Sequence, residues 1–173
     1  MELTWQIARD PLCVHRLIEE SDRAAALRSA TPVPRRRLES TRALVGRGLV
    51  HLGTQDGVPV VTVTVGAVPS FDTREAGLPD AEHPWYLQRL ALAPHGPEPL
   101  LGVRAARHAA ALATAAGADA LRAEANPGIT DVLGVLTALG FTRHATVTTG
   151  TLHRTFLQLA LRPDPRAPRP PRW

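Results

Sequence analysis

From Cys13 the apolar positions Cys13, Val14, Leu17, Ile18, Ala24 and Ala25 recur at helical spacing. Asp10-Pro11 ahead of them combines an N-cap side chain with Pro at the first helical position, which predicts a first helix to about Leu27. Before it, Leu3 to Arg9 is short and strand-like. Thr31-Pro32-Val33-Pro34 breaks the helix, and a weaker helical pattern from Arg35 to about Val45 stops at Gly46 and Gly48. The period then changes. Leu49 to Thr54 reads as a strand, Gln55-Asp56-Gly57 as a tight turn, and Val58 to Ala67 as the partner strand, with Val61, Val63 and Val65 alternating with Thr62 and Thr64.

Val68 to Pro84 has no period and reads as a long loop. Trp85 to Leu92 is the next strand, and Leu100 to Ala116 a helix ended by Gly117. Ala120 to Ala125 is a short strand. Val132, Val135, Leu136 and Leu139 mark a further helix closed by Gly140, and Thr142–Thr149 with Thr151–Leu161 form a hairpin around Gly150. Hairpins mixed with crossover helices predict an α/β (α+β) architecture: a mixed, mostly antiparallel central sheet with helices on both faces. One domain over residues 1–162 is expected. The tail 163–173, with five prolines up to Pro171, cannot bury a face and is expected to be disordered or extended.

Composition removes several classes. The 173 residues suffice for one core without staples. No apolar run approaches the ~18–20 residues that cross a bilayer, and the start lacks the basic and apolar regions of a secretory signal. With one cysteine, Cys13, neither an internal disulfide nor a multi-Cys metal site is available. A cytoplasmic protein without a membrane partner is expected. All twenty basic residues are Arg; of the net +4, the segment after Leu161 carries +3, leaving +1 for the folded body. That is no nucleic-acid footprint.

Tyr86-Leu87-Gln88-Arg89-Leu90-Ala91-Leu92-Ala93-Pro94 and Leu139-Gly140-Phe141, with the glycine-ended helix between them, resemble the fourth strand and the Leu-Gly-Phe of the GCN5-related N-acetyltransferase (GNAT) superfamily. The likeness covers residues 3–161 in element order. It implies a splayed cleft between the fourth and fifth strands, a donor pantetheine arm along the backbone of Leu90, Ala91 and Leu92, and a pyrophosphate on the amides of Leu100, Leu101, Gly102 and Val103. The family's phosphate motif is degenerate here. Its stretch is Pro97-Glu98-Pro99-Leu100-Leu101-Gly102, of which Gly102 alone matches; the prolines lack N–H groups, Glu98 is an anion, and Leu100 stands where the family has glycine. The family's donor-binding Asn falls on Ile129, with Asn126 as the nearby substitute, and its general-acid Tyr falls on Leu136.

The expected chemistry is therefore acyl transfer from a thioester, acyl-CoA or an acyl carrier protein, to the amine of a small molecule, by direct attack in a ternary complex. The alternatives are another donor, with nucleic acid entering only as an aminoacyl-tRNA, another reaction in the same cleft, or a non-catalytic binding protein; a homodimer is compatible with each. Glu82, His83 and Tyr86 at the start of the fourth strand, and Glu124 on the fifth, are the candidate catalytic groups. A carboxylate within a short central strand needs a partner or a task, and for Glu124 an ion pair with a nearby Arg is the competing reading. No histidine pair has the spacing of a zinc helix, so no metal is expected. Arg35-Arg36-Arg37 reads as a solvated face, although in this family the region borders the acceptor, which would suit acidic substrates.

Overall fold

A computed structural model describes residues 2–74, 76–94, 100–149 and 152–161. The elements run β1 (Thr4–Ile7), α1 (Pro11–Ser29), α2 (Leu38–Gly46), β2 (Val50–Gln55), β3 (Val58–Gly66), β4 (Pro84–Leu92), α3 (Leu101–Ala115), β5 (Ala120–Ala125), α4 (Thr130–Ala138), β6 (Thr142–Thr149) and β7 (Leu152–Ala160). The strands form one seven-stranded sheet in the order β1-β2-β3-β4-β5-β7-β6. Its β4–β5 pair is parallel, while the β1–β2, β2–β3, β5–β7 and β6–β7 pairs are antiparallel. The mixed α/β architecture expected from the sequence is the one observed.

Local chemistry accounts for most boundaries. The Asp10 carboxylate accepts from the Leu12 and Cys13 amides at 2.8 and 3.3 Å, satisfying donors that an α-helix leaves orphaned at its start. Asp56 and Gly57 both have positive φ (50° and 77°), the two-residue turn whose twist suits a hairpin. Gly140, at φ 93°, lets the chain leave α4 and enter β6. α2 begins three residues later than the pattern predicts. Arg36 is instead held on the Asp22 carboxylate of α1 at 2.7 Å, ahead of the helix.

Two compact units divide the chain. The first comprises residues 1–64 and 89–105. In it Ala8, Val14, Leu17, Ile18, Val45, Val50, Leu52 and Ala91 form one apolar cluster, and Leu3, Val61, Leu101 and Ala105 another. Thr62 is as deeply buried as the valines beside it, so this strand has no solvent face; its hydroxyl donates to the His51 carbonyl at 3.1 Å. The second unit comprises residues 65–88 and 106–173. Its core carries Leu121, Ala123, Phe141 and Leu157, with alanines 106, 109 and 113 on α3. On α4 the deeply buried side chains are Leu133 and Leu136. Leu133 lies outside the stripe predicted through Val132 and Leu139, which are half-buried. The tail 163–173 lies outside the described residues.

Candidate functional site

In the second unit, β4 and β5 pair over Pro84–Leu87 and Ala120–Ala123. β5 is paired along its whole length with β7, from Ala120↔Ala160 to Ala125↔Thr155. Because side chains alternate across a strand, β5 (ALRAEA) turns Leu121, Ala123 and Ala125 to one face and Arg122 and Glu124 to the other. Residues directly opposite share a face, so the polar face carries the row Tyr86–Arg122–Gln158, with Glu124 beside Phe156 in the next row.

Arg122 organises this face. Its guanidinium donates to Gln158 Oε1 (2.8 Å), to the Tyr86 hydroxyl (3.3 Å) and to the Pro79 carbonyl (2.7 Å), and its Cζ lies 6.0 Å from the centre of the Tyr86 ring. The residue is 9% exposed. Phe71 stands edge-on to Tyr86 (centroids 5.7 Å) and against Phe156 (5.3 Å). The loop of residues 67–83 is thus pinned to the strands at several points, since Gln88 Nε2 also donates to the Val68 carbonyl at 2.7 Å.

The four candidate catalytic residues are divided by this arrangement. Glu82 and His83 are exposed, and their backbone amides donate to the Asp119 carboxylate at 2.6 and 3.0 Å, so what the structure uses of them is main chain. Tyr86 is buried with its hydroxyl against Arg122. Glu124 is different. Arg154 of β7 bonds its Oε1, while its Oε2 is shut off from solvent and has no hydrogen-bond partner among the described residues. The Glu124 side chain is 18% exposed, against 44% for Arg154. A carboxylate oxygen so placed lacks the hydrogen bond that buried polar atoms ordinarily make.

The residues expected to hold a donor lie as follows. Leu90 and Leu92 pack half-buried on the Leu3–Leu101 cluster, while Ala91 belongs to the other apolar cluster of the first unit. The Leu92 amide donates to the Ser21 hydroxyl at 3.0 Å. The Arg104 amide donates to the Leu100 carbonyl at 2.9 Å, and the amides of Leu101, Gly102 and Val103 stand in the first turn of α3. Amides in the first turn of a helix can take an anion. Leu100, at the position of the family's glycine, has φ 74° and is 71% exposed. Leucine here adopts the left-handed backbone that glycine adopts freely. Pro97, Glu98 and Pro99 lie outside the described residues. Asn126 is exposed and its Oδ1 accepts from the Gly128 amide at 2.8 Å. Leu136 is buried and apolar, with no proton to give.

No family model matches this sequence. No curated protein sequence matches it. Solved structures do. An acetyltransferase of the GNAT family from Streptococcus agalactiae matches with TM-score 0.73 and 15% identity, over 92% of this chain and 96% of that one. The fold is that of the GCN5-related N-acetyltransferases. A Salmonella typhimurium protein solved with its cofactor acetyl-CoA shares the GNAT-like arrangement at TM-score 0.64 and 19% identity, over 96% and 98% of the two chains. The NatC complex bound to Gag peptide and CoA matches at TM-score 0.71 and 12% identity, over 94% and 100%.

Sequence reasoning missed Arg122, Arg154 and Asp119 as the groups that set the GNAT-type strand face. Arg122 was findable, since it shares the period-two face of Glu124. Arg154 and Asp119 act across 30 and 36–37 residues of chain and leave no local signal. Among the described residues no group of three His, Cys, Asp or Glu side chains could hold a metal, and no helix is long and apolar enough to cross a membrane.

Proposed function

We propose that this protein is an N-acyltransferase that moves an acyl group from a pantetheine thioester to the amine of a small molecule, with Glu124 receiving the amine. The observation that carries this reading is the Glu124 Oε2 atom, buried and without a partner among the described residues, on a fold whose solved examples include acetyltransferases. Leaving such an oxygen bare costs on the order of 1–3 kcal/mol, and an acceptor N–H would satisfy it. Arg154 holds the carboxylate from its other oxygen and so fixes the direction in which Oε2 points.

In the transfer, the amine nitrogen bonds to the thioester carbonyl carbon, the C–S bond breaks, and one amine proton ends on the leaving sulfur. Glu124 orients the amine and takes up the proton as the C–N bond forms. The proton returns to sulfur through solvent, because Leu136 stands where the family has a Tyr. The Leu101–Val103 amides support a donor pyrophosphate, and Leu100 at the glycine position supports a weaker hold on a nucleotide-bearing donor than the family's loop provides. A carrier-protein thioester, whose pantetheine ends on one phosphate, suits that loop better.

The test is release of free thiol from acetyl-CoA, longer acyl-CoAs and an acyl carrier protein, across a panel of small amines. Glu124→Gln keeps shape and burial, and should lower kcat/KM by about 10²-fold or more, the usual contribution of a positioned base. Thiol release that is unchanged in Glu124→Gln removes Glu124 from the mechanism. No amine-dependent release with any of the donors removes acyl transfer.

A further inference from the structure

The first unit holds a second guanidinium whose charge is not balanced. Arg89 on β4 is half-buried. It donates from Nη2 to the Ser40 hydroxyl at 2.9 Å and from Nη1 to the Thr41 hydroxyl at 3.3 Å, both in the first turn of α2. Thr41 also meets His15 Nδ1 at 3.1 Å, and His15 Nε2 lies 3.4 Å from Glu19. Among the described residues no carboxylate lies within ion-pair distance of Arg89. The nearby carboxylate, Asp22, is already held by Arg36 through two bonds of 2.7 and 3.3 Å.

Burial, followed by repulsion from Arg36, lowers the Arg89 pKa, with Asp22 only partly opposing this. Two guanidinium charges against one carboxylate leave this cluster at +1. Around it, exposed Arg35 and Arg37 offset exposed Glu39 and the Glu19 that faces His15. A guanidinium has five donors in a fixed fork, and Arg89 spends two of them on neutral hydroxyls. Three donors and one positive charge remain for a ligand that brings oxygen acceptors.

We propose that Arg89, supported by Arg36 and by the hydroxyls of Ser40 and Thr41, forms a receptor for the carboxylate of a small molecule. The site goes beyond the acyl-transfer reading and does not depend on it, because binding is measured without turnover. A monoanion matches the surplus of +1. A phosphate dianion would overshoot it and be repelled by Asp22. The sequence signal was Arg35-Arg36-Arg37; the fold sets Arg36 on Asp22 and supplies Arg89 from 48–49 residues away in sequence from its hydroxyl partners.

The experiment is a ¹⁵N NMR titration of the whole chain at low ionic strength with sodium propionate, inorganic phosphate and ethylammonium chloride, each matched for ionic strength. The Arg89 Nε–H and the Ser40 and Thr41 amides should shift saturably with propionate, less with phosphate, and not with ethylammonium. Arg89→Gln should weaken propionate binding by about tenfold or more. Ser40→Asp places a carboxylate beside Arg89 without removing it, and should abolish propionate binding in a protein that is still folded. Propionate shifts that do not saturate, or that persist in Ser40→Asp, overturn the site. Tighter binding of phosphate than of propionate overturns its assignment to carboxylates.

Discussion

Arg122 and Arg89 are the same side chain on neighbouring strands, and the environments built around them have opposite consequences. Arg122 is closed in. A carbonyl, an amide oxygen and a phenol surround its guanidinium, and Tyr86 packs beside it, so each of its three nitrogens donates inside the second unit. Arg89 is open, held by two hydroxyls at the first turn of α2 and repelled by Arg36. Neither has a carboxylate partner among the described residues. A buried guanidinium without a counter-ion is tolerable when carbonyl-like oxygens take its protons, and it then acts as a pin. One that is half-exposed and only lightly bonded keeps its field for something that arrives from solution. Enclosure rather than residue type separates structural from receptor arginine here.

The largest test of that comparison is Arg122→Ala. The change strands the Pro79 carbonyl, the Gln158 amide oxygen and the Tyr86 hydroxyl and leaves a void beside the Tyr86 ring. A loss of about 3 kcal/mol in unfolding free energy is expected from unsatisfied buried groups and lost packing together. Urea denaturation measures it. The 67–83 loop should also become protease-sensitive, because the Pro79 tether is gone. A loss under about 1 kcal/mol would mean that Arg122 is not a pin.

How much of this could be read in the sequence follows from how local each cause is. Asp10-Pro11, Asp56-Gly57 and Gly140 act on residues next to them, and the elements they bound appeared where they predicted. Leu100 adopts a left-handed backbone that no local signal of its own marked. What failed was whatever depended on a distant partner. The valine–threonine alternation of β3 marks a strand but not what covers each side of it, and Thr62 and Thr64 are as buried as the valines. The helical wheel of α4 could not rank Leu133 above Val132, because what covers each comes from elsewhere in the chain. Glu124 was legible as a carboxylate in need of a partner. That Arg154 satisfies only one of its oxygens was not, since a strand register thirty residues away decides it.

Leu100→Gly separates backbone strain from charge in the first unit. At φ 74° leucine carries a steric cost of about 1 kcal/mol that glycine avoids, and the 71% exposed side chain forfeits little burial when removed. The variant should therefore be more stable by roughly 0.5–1 kcal/mol, an unusual sign for a Leu→Gly change. Thermal unfolding reads it directly. A destabilisation instead would show that the Leu100 side chain packs on something in the donor loop and is more than a strained substitute for glycine.

The smallest effect is expected where the comparison is sharpest, at Arg89→Gln. The bond to the exposed Ser40 hydroxyl is worth little once solvent competes for it, and the buried Thr41 hydroxyl keeps His15 as a partner when Arg89 is gone. Removing the charge also relieves its burial and its repulsion from Arg36, which offsets the loss. The net change in unfolding free energy should fall within about 0.5 kcal/mol of zero. Salt gives a second reading of the same physics. Screening weakens the Arg89–Arg36 repulsion, so added salt should stabilise the wild-type chain more than Arg89→Gln, the difference developing as the Debye length falls from ~30 Å towards ~10 Å. If Arg89→Gln costs as much as Arg122→Ala and the two proteins respond alike to salt, then Arg89 is a second pin. The open guanidinium would then be part of the scaffold, and the contrast between the two arginines would disappear.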